Sequence, residues 1–115
     1  MVTTLYDEVA RRRPDAVVRL GSETFVDIDA ADEFISEAER QGIRILGLEG
    51  FLIAEDAVYP ALSRVADFSD VADAQESAAL ARALVLGAWR TPPTPADQMS
   101  EAASGRHMLD IVLDE

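Results

Sequence analysis

The sequence predicts an α+β fold in which a small, mostly antiparallel sheet with a two-sided central strand is covered by helices. On strand geometry, the apolar segment 43–53 places large hydrophobic side chains on both of its faces, which is typical of a central strand. Apolar residues recur at helical spacing over about 4–13, 30–41 and 71–90. With 115 residues, of which 49% are hydrophobic, the chain can build a core without disulfides or a metal. We therefore expect a single domain over 1–115.

Capping and turn residues predict the first elements. Thr4, followed by Asp7 in capping-box position, begins the helix over 4–13. Gly21-Ser22 lies between two apolar-rich segments, and glycine at the first central position is typical of a type II′ turn. Residues 16–28 are therefore predicted to form a β-hairpin.

The segment 29–53 is predicted to hold the helix and the strand at the centre of the fold. Asp29 is expected to cap the helix over 30–41, whose apolar residues follow the i, i+3, i+4, i+7 pattern. The strand 43–53 is expected to be the longest, with near-complete burial of Ile45, Leu48 and Phe51. Alternation along a strand predicts one face with Ile43, Ile45, Glu49, Phe51 and Ile53, and another with Leu46, Leu48 and Leu52.

The C-terminal half is predicted to combine short elements with one long helix. We expect a return strand at 57–59, a short helix from Pro60 to Ala66, and a largely buried helix over 71–90 capped by Ser69 or Asp70. After that helix, the sequence predicts an extended segment at 91–95, a weak helix over 96–103 and a last strand at 108–113.

The composition excludes several classes of function. Without cysteine there is no thiol nucleophile and no thiolate metal site. All ten basic residues are arginine, which excludes Schiff-base chemistry and a P-loop lysine. No secretory signal or membrane-spanning segment is evident, so we expect a cytoplasmic protein. The net charge of −12 repels nucleic acid and anionic membranes, so neither is expected as a partner.

Motifs for catalysis or for cofactor binding are weak. His107 is the only histidine, and no nucleophile and orienting acid accompany it as in a triad. Gly47 and Gly50 lack the spacing of a phosphate loop and instead indicate a bulge or a close approach of backbones. The acids from 27 to 38 lack the glycine and the final glutamate of an EF-hand loop. We therefore expect no catalytic residue, no metal and no cofactor.

Glu49 is the one charged residue on an otherwise apolar strand face, and a buried carboxylate must be paired, hydrogen-bonded or protonated. Pairing with Arg44 or Arg64 satisfies this requirement, as does a bulge that turns Glu49 toward solvent. Glu49 could also contact a partner at an interface. In a further alternative it lines a pocket together with Tyr59, Trp89 and His107.

The helix over 30–41 carries an acidic row, defined as Asp29, Asp32, Glu33 and Glu37. Like charges four residues apart destabilise an isolated helix slightly. Such a surface can still gain from a basic partner through steering and complementarity. The row is therefore a candidate partner-binding surface, although a merely well-solvated helix face is the simpler interpretation.

The general character of the chain resembles the immunity proteins of bacterial toxin–immunity systems. In those families a small acidic protein masks a basic nuclease or another toxin domain. The matching features are the acidic row and the net charge of −12, and no residue roles are carried over from the family. The resemblance implies a non-enzymatic protein that binds and masks a basic partner protein.

Two other functions stay open at the level of sequence. One is a small-molecule-binding protein, or a small enzyme of undefined chemistry, with Glu49 at a pocket. The other is an oligomeric structural protein in which an edge strand such as 108–113 pairs with a copy of itself.

Overall fold

The described part of the chain, which comprises residues 4–54, 57–90 and 106–114 of a computed structural model, contains three α-helices and five β-strands. The helices are α1 (Leu5–Arg12), α2 (Ala31–Arg40) and α3 (Ala74–Leu86). The strands are β1 (Val17–Leu20), β2 (Glu23–Asp27), β3 (Arg44–Ala54), β4 (Ala57–Asp67) and β5 (Arg106–Asp114). Two 3-10 turns, Pro14–Ala16 and Ile28–Ala30, join neighbouring elements. The α+β prediction is confirmed.

All strand pairs are antiparallel, and the sheet order is β1-β2-β5-β3-β4. The predicted central strand is confirmed as β3, which pairs with β5 on one side and β4 on the other. Both β3 and β4 have 11 residues, so β3 shares the greatest length. The idea that 108–113 is an edge strand open to a second copy is wrong, because β5 is hydrogen-bonded on both sides.

The helices pack on one face of the sheet and form the main core there. Ile45 and Leu48 are fully buried, as predicted, in a cluster that includes Phe34 of α2 and Val85 of α3. The opposite face carries a smaller cluster of strand residues, formed by Phe25, Ile53 and Met108 with Val18, Leu20, Phe51 and Val58 packed against them. Among the described residues this cluster contains no helical side chain, and we call this side of the sheet the helix-free face.

Two irregularities in β3 change which face its side chains occupy. The register against β5 shifts between Ile45 and Gly47, so Ile45 and Leu48 both face the helices. The predicted grouping of Ile45 with Phe51 is therefore wrong, since Phe51 lies on the helix-free face and is only half-buried. The register against β4 shifts between Glu49 and Phe51, at Gly50.

Close approach of backbone and side chain explains both glycines of β3, as predicted. A Cβ at Gly47 would lie 2.9 Å from the carbonyl oxygen of Ala66. A Cβ at Gly50 would lie 2.7 Å from the Cβ of Arg64. Neither position has room for a larger residue unless β4 moves.

The return strand predicted at 57–59 is confirmed as the start of β4, whereas the predicted helix at 60–66 is wrong, because β4 continues through that segment. Pro60 is paired opposite Phe51 on this edge strand, and edge strands are where a sheet tolerates proline. The predicted helix over 71–90 is shorter, since Asp73 caps α3 through the amide of Glu76. It is also less buried than predicted, because Leu80 and Leu86 are exposed.

Capping at the first two helices gives one confirmed prediction and one wrong one. Thr4 and Asp7 form the expected capping box of α1. The predicted cap Asp29 of α2 is wrong, because the N-cap is Ala30 and no side chain caps that helix; Asp27 instead caps the preceding 3-10 turn by accepting from the amide of Asp29. The predicted segments 91–95 and 96–103 lie outside the described residues. In the part of the chain that is described, none of the helices is long and apolar enough to cross a membrane.

Candidate functional site

The acidic row on α2 is neutralised within the chain. Glu33 receives the guanidinium of Arg13 at 3.1 Å. Glu37 pairs with Arg40 and, at 3.8 Å, with Arg12. The side chains of Arg40 and Gln41 also donate hydrogen bonds to Glu37. These bonds, of which the one from Arg40 has the larger effect, lower the pKa of Glu37 to about 2. Only 12% of the Glu37 side chain is exposed, so the interpretation of the row as a merely well-solvated helix face does not hold for Glu37.

The other two members of the row are paired with arginines from α3 and from the turn that follows it. Arg82 donates to Asp32 at 2.8 Å and to Glu39 at 3.2 Å. Arg90 lies 3.3 Å from Asp29. The row therefore ties α2 to α1 and to α3, which is a structural role that the sequence pattern did not indicate.

The helix-free face carries three carboxylates that have no arginine beside them among the described residues. Glu49 on β3 and Asp110 on β5 are directly opposite each other in the ladder, and Glu23 on β2 is close to Asp110. Burial raises the pKa of Asp110, and the negative charges of Glu49 and Glu23 raise it further. We call these three residues the sheet carboxylates.

Exposed apolar side chains border the sheet carboxylates. Val65 of β4 pairs with Glu49 and is 63% exposed. Val112 lies two residues beyond Asp110 on β5 and is 40% exposed. Val65 of β4, Glu49 of β3 and Asp110 of β5 therefore lie side by side on the helix-free face, next to the apolar cluster around Phe51.

The residues predicted to accompany Glu49 in a pocket lie on the other face of the sheet, the helix side. Tyr59 and His107 are both in register with Leu52, from β4 and β5 respectively. The main-chain oxygen of buried Trp89 accepts a 2.7 Å hydrogen bond from Arg64. Glu49 is therefore separated from Tyr59 and His107 by the sheet and is turned outward to solvent.

Arg64 is the residue that the sequence did not single out for this place. The sequence suggests Arg64 only as a partner of Glu49, yet its side chain lies over Gly50 on the helix side. The position of a Cβ on Gly50 would also be 3.4 Å from Nε2 of His107, so Arg64 and His107 meet over that glycine. We call this pair the Arg64–His107 cluster. In the sequence, the feature that indicates such a close approach is Gly50 itself, because a glycine inside a strand often marks a place where another group lies close to the backbone.

His107 is the least satisfied polar group in the described residues. Both of its ring nitrogens are buried and have no hydrogen-bond partner there. Burial lowers the pKa of His107 to about 4, and the positive charge of Arg64 adds to this effect while Asp27 partly opposes it. The imidazole is therefore neutral at pH 7.

A cleft of about 380 Å³ lies between the end of α1 and the β2–α2 connection. Its charged lining consists of Arg12, Arg13 and Arg106 with Asp15, Asp27 and Asp29, so the two signs balance. Each of the three arginines is held in an ion pair. In the described residues, no three histidine or acidic side chains converge in a way that could hold a metal ion.

Comparison of the chain with protein-family models, with curated proteins and with solved structures gives no match.

Proposed function

We propose that this protein is a non-enzymatic binding module that holds a basic protein partner against the helix-free face of its sheet. The sheet carboxylates carry the proposal. Within the described residues, eight of the ten arginines form ion pairs with other acids, and none pairs with Glu23, Glu49 or Asp110. Like charges opposite each other in a ladder destabilise the free sheet. A lysine or arginine of a partner removes that repulsion, which favours binding.

The apolar neighbours of the carboxylates define the rest of the partner's chemistry. Val65 and Val112 leave apolar surface in contact with water beside the charged groups. The partner we propose therefore presents an apolar side chain to cover Val65 and Val112, and cationic side chains around it to pair with the acids. This matches the usual arrangement of an interface with an apolar centre and a polar rim. A second copy of this chain fits less well as the partner, because its own three sheet carboxylates would lie against those of the first copy and repel them.

The resemblance to toxin–immunity systems favours a basic toxin domain as this partner. The acidic row contributes to the proposal through long-range attraction, since its carboxylates are already paired and gain less from direct contact. A neighbouring gene for a basic toxin-like domain would identify the first partner to test.

Two variants that each remove two negative charges test the surface. Glu49→Gln/Asp110→Asn removes charge from the helix-free face, and Glu33→Gln/Glu37→Gln removes the same charge from α2. Tagged wild type and both variants are used to capture proteins from the native host, and a captured basic protein is then purified. Its association rate with each form is measured over a series of NaCl concentrations.

We expect wild type and the α2 variant to bind the basic protein, and the sheet variant to bind it about tenfold or more weakly. The association rate should fall as ionic strength rises, because screening shortens the range of attraction. Capture of no basic protein would show that the proposal is wrong. Equal binding by the sheet variant would remove the helix-free face as the contact surface, and loss of binding in the α2 variant alone would assign the contact to the acidic row.

A further inference from the structure

The outward side of α3 is the second place where large apolar side chains reach solvent. Among the described residues, the exposed large hydrophobic side chains are Val65 and Val112 of the helix-free face and two leucines of α3. Leu80 is 41% exposed and Leu86 is 52% exposed. Because α3 packs into the main core on the helix side of the sheet, its leucines belong to a surface separate from the helix-free face.

The surface around these two leucines is apolar and otherwise small in relief. Ala79, Ala83 and Gly87 are exposed and follow one another at intervals of four residues, which places them on one side of a helix. Arg82 is the one charged residue from 77 to 89, and it pairs with the acids of α2. An uncharged surface of this length stands out in a chain whose residues are 28% charged. We call the following exposed residues the α3 face: Ala79, Leu80, Ala83, Leu86 and Gly87.

We propose that the α3 face binds the same face of a second copy of the chain, with the two helices antiparallel and Ala83 nearest the two-fold axis. The two leucines lie three residues to either side of Ala83, and successive residues of a helix are turned by about 100°. They therefore lie on opposite flanks of the face, and each meets a small residue of the other copy. Leu80 meets Gly87, and Leu86 meets Ala79. Large side chains against small ones let two helices interdigitate closely.

The charges at the two ends of the α3 face favour the antiparallel arrangement. Glu76 lies in the first turn of α3 and forms no ion pair with a described arginine, whereas Arg90 follows the last turn and is 55% exposed. Antiparallel helices bring Glu76 of each copy to the end at which Arg90 lies in the other. Parallel helices would instead set like charges side by side. Opposed helix dipoles favour the antiparallel pair as well.

A second copy fits this face better than the basic protein proposed as the partner of the sheet carboxylates. The α3 face has no carboxylate to pair with a cation, whereas a second copy supplies leucines that match its small residues. Because the α3 face and the helix-free face are on opposite sides of the sheet, a dimer leaves both helix-free faces open. This proposal therefore does not depend on the proposed function.

The size of the α3 face and the net charge limit the strength of the dimer. α3 has 13 residues and is therefore about 20 Å long. Contact along one such helix buries less than the roughly 800 Å² per partner of a standard interface. Repulsion between two copies of net charge −12 opposes association further, and salt screens it. We expect a weak dimer, with a Kd in the micromolar to millimolar range, that becomes tighter as NaCl is added.

Sedimentation velocity of the whole chain at increasing concentration tests the dimer. The average mass of wild type in roughly 0.15 M NaCl should rise from that of the monomer toward that of the dimer between about 10 µM and 1 mM. Leu80→Gln/Leu86→Gln should weaken association about tenfold or more, and glutamine keeps a high helix propensity. The matched control Val65→Thr/Val112→Thr removes two exposed apolar side chains from the helix-free face and should dimerise like wild type.

A single introduced cysteine tests the arrangement, since the chain has none of its own. In Ala83→Cys the two thiols lie next to each other across the two-fold axis, so mild oxidation should link the copies by a disulfide. Gln75→Cys places its thiol at an exposed position eight residues earlier, about 24 Å from its counterpart along an antiparallel pair. That variant should stay largely unlinked.

An unchanged monomer mass for wild type up to about 1 mM would overturn the proposal. Equal association by folded Leu80→Gln/Leu86→Gln would also overturn it, as would loss of association in the valine control alone. Linkage of Gln75→Cys as rapid as that of Ala83→Cys would rule out the antiparallel pair. The cysteine variants keep both leucines, so they decide the matter even if the glutamine variant does not fold.

Discussion

At Ile45, a single irregularity in pairing decides on which side of the sheet a side chain lies. Strict alternation along β3 separates Ile45 from Leu48, yet both are buried against the helices. The shift of register between Ile45 and Gly47 accounts for the change. The burial of Ile45 could be predicted from its neighbours in sequence. The face of the sheet on which Ile45 lies could not be predicted, because the bulge depends on how β3 pairs with β5.

The burial of Ile45 leads to a large expected loss of stability in Ile45→Ala. Removing three buried carbons leaves a cavity between β3 and the helices, and such changes cost about 2–5 kcal/mol. Urea unfolding of wild type and variant measures the difference. Val65→Ala is the control on the neighbouring strand: at 63% exposure it should change stability by less than about 0.5 kcal/mol. Similar losses in the two variants would contradict this account of the core.

Asp110 should destabilise the free protein at neutral pH. Its folded-state pKa is raised by burial, Glu49 and Glu23, so the folded protein holds this proton more tightly than the unfolded chain. The group's contribution to stability is therefore largest at low pH and is lost as pH rises through the folded pKa. We expect Asp110→Asn to stabilise the protein at pH 7 by about 0.2–1 kcal/mol, the range for one cross-strand pair.

The same measurement at pH below the usual aspartate range should show no gain for Asp110→Asn, because the carboxyl is then protonated in both states. Asp67→Asn is the matched control, since the side chain of Ser69 and then its amide, through hydrogen bonds, lower the pKa of Asp67. That variant should lose stability at neutral pH instead. A loss in Asp110→Asn at pH 7 would mean that Asp110 has a stabilising partner.

At the level of elements, prediction succeeded where the signal is local. The capping box at Thr4 and the positive φ of Gly21 in the hairpin both follow from neighbouring residues. β4 was missed because Pro60 favours the start of a helix locally, whereas its place on a sheet edge is a property of the whole fold. The candidate sites depend on strand order in the same way. Arg64 and His107 are 43 positions apart in sequence, and β3 brings them together.

The start of α2 gives a test at this scale. Asp27 accepts from the amide of Asp29 at 2.9 Å and from Arg106 at 2.8 Å, so Asp27→Ala removes both a cap and an ion pair. We expect it to cost about 1–2 kcal/mol. Asp29→Ala removes only an exposed pair with Arg90 and should cost less than about 1 kcal/mol. A greater loss in Asp29→Ala, measured by thermal or urea unfolding, would restore Asp29 as the helix cap.

Across the whole molecule, the charges separate into a paired and an unpaired set. Arginines pair with the acidic row and with Glu39, and so link α1, α2 and α3 through ion pairs at the surface of the helical layer. The sheet carboxylates on the opposite face are left without such partners among the described residues. An excess of twelve negative charges is spread over a body of 38 × 29 × 20 Å. Long-range repulsion therefore opposes folding, while short-range pairs favour it.

The range of these two effects decides how salt should change stability. The screening length is about 10 Å at 0.1 M salt, which is shorter than most distances across the molecule. The two charges of an ion pair in direct contact are separated by less than this screening length. Moderate salt therefore weakens the repulsion between distant charges before it weakens the ion pairs. We expect the melting temperature at pH 7 to rise between roughly 10 and 150 mM NaCl, as measured by calorimetry or circular dichroism.

The same series near the isoelectric point, about pH 4.3, supplies the control. The net charge is close to zero there, so the distant repulsion is gone and NaCl should leave the melting temperature unchanged or lower it slightly. A rise of equal size at both pH values would show that salt acts through apolar surface and not through charge. A fall at pH 7 would show that the contact pairs of the helical layer outweigh the repulsion, and the unpaired sheet carboxylates would then be a minor part of the electrostatic free energy of folding.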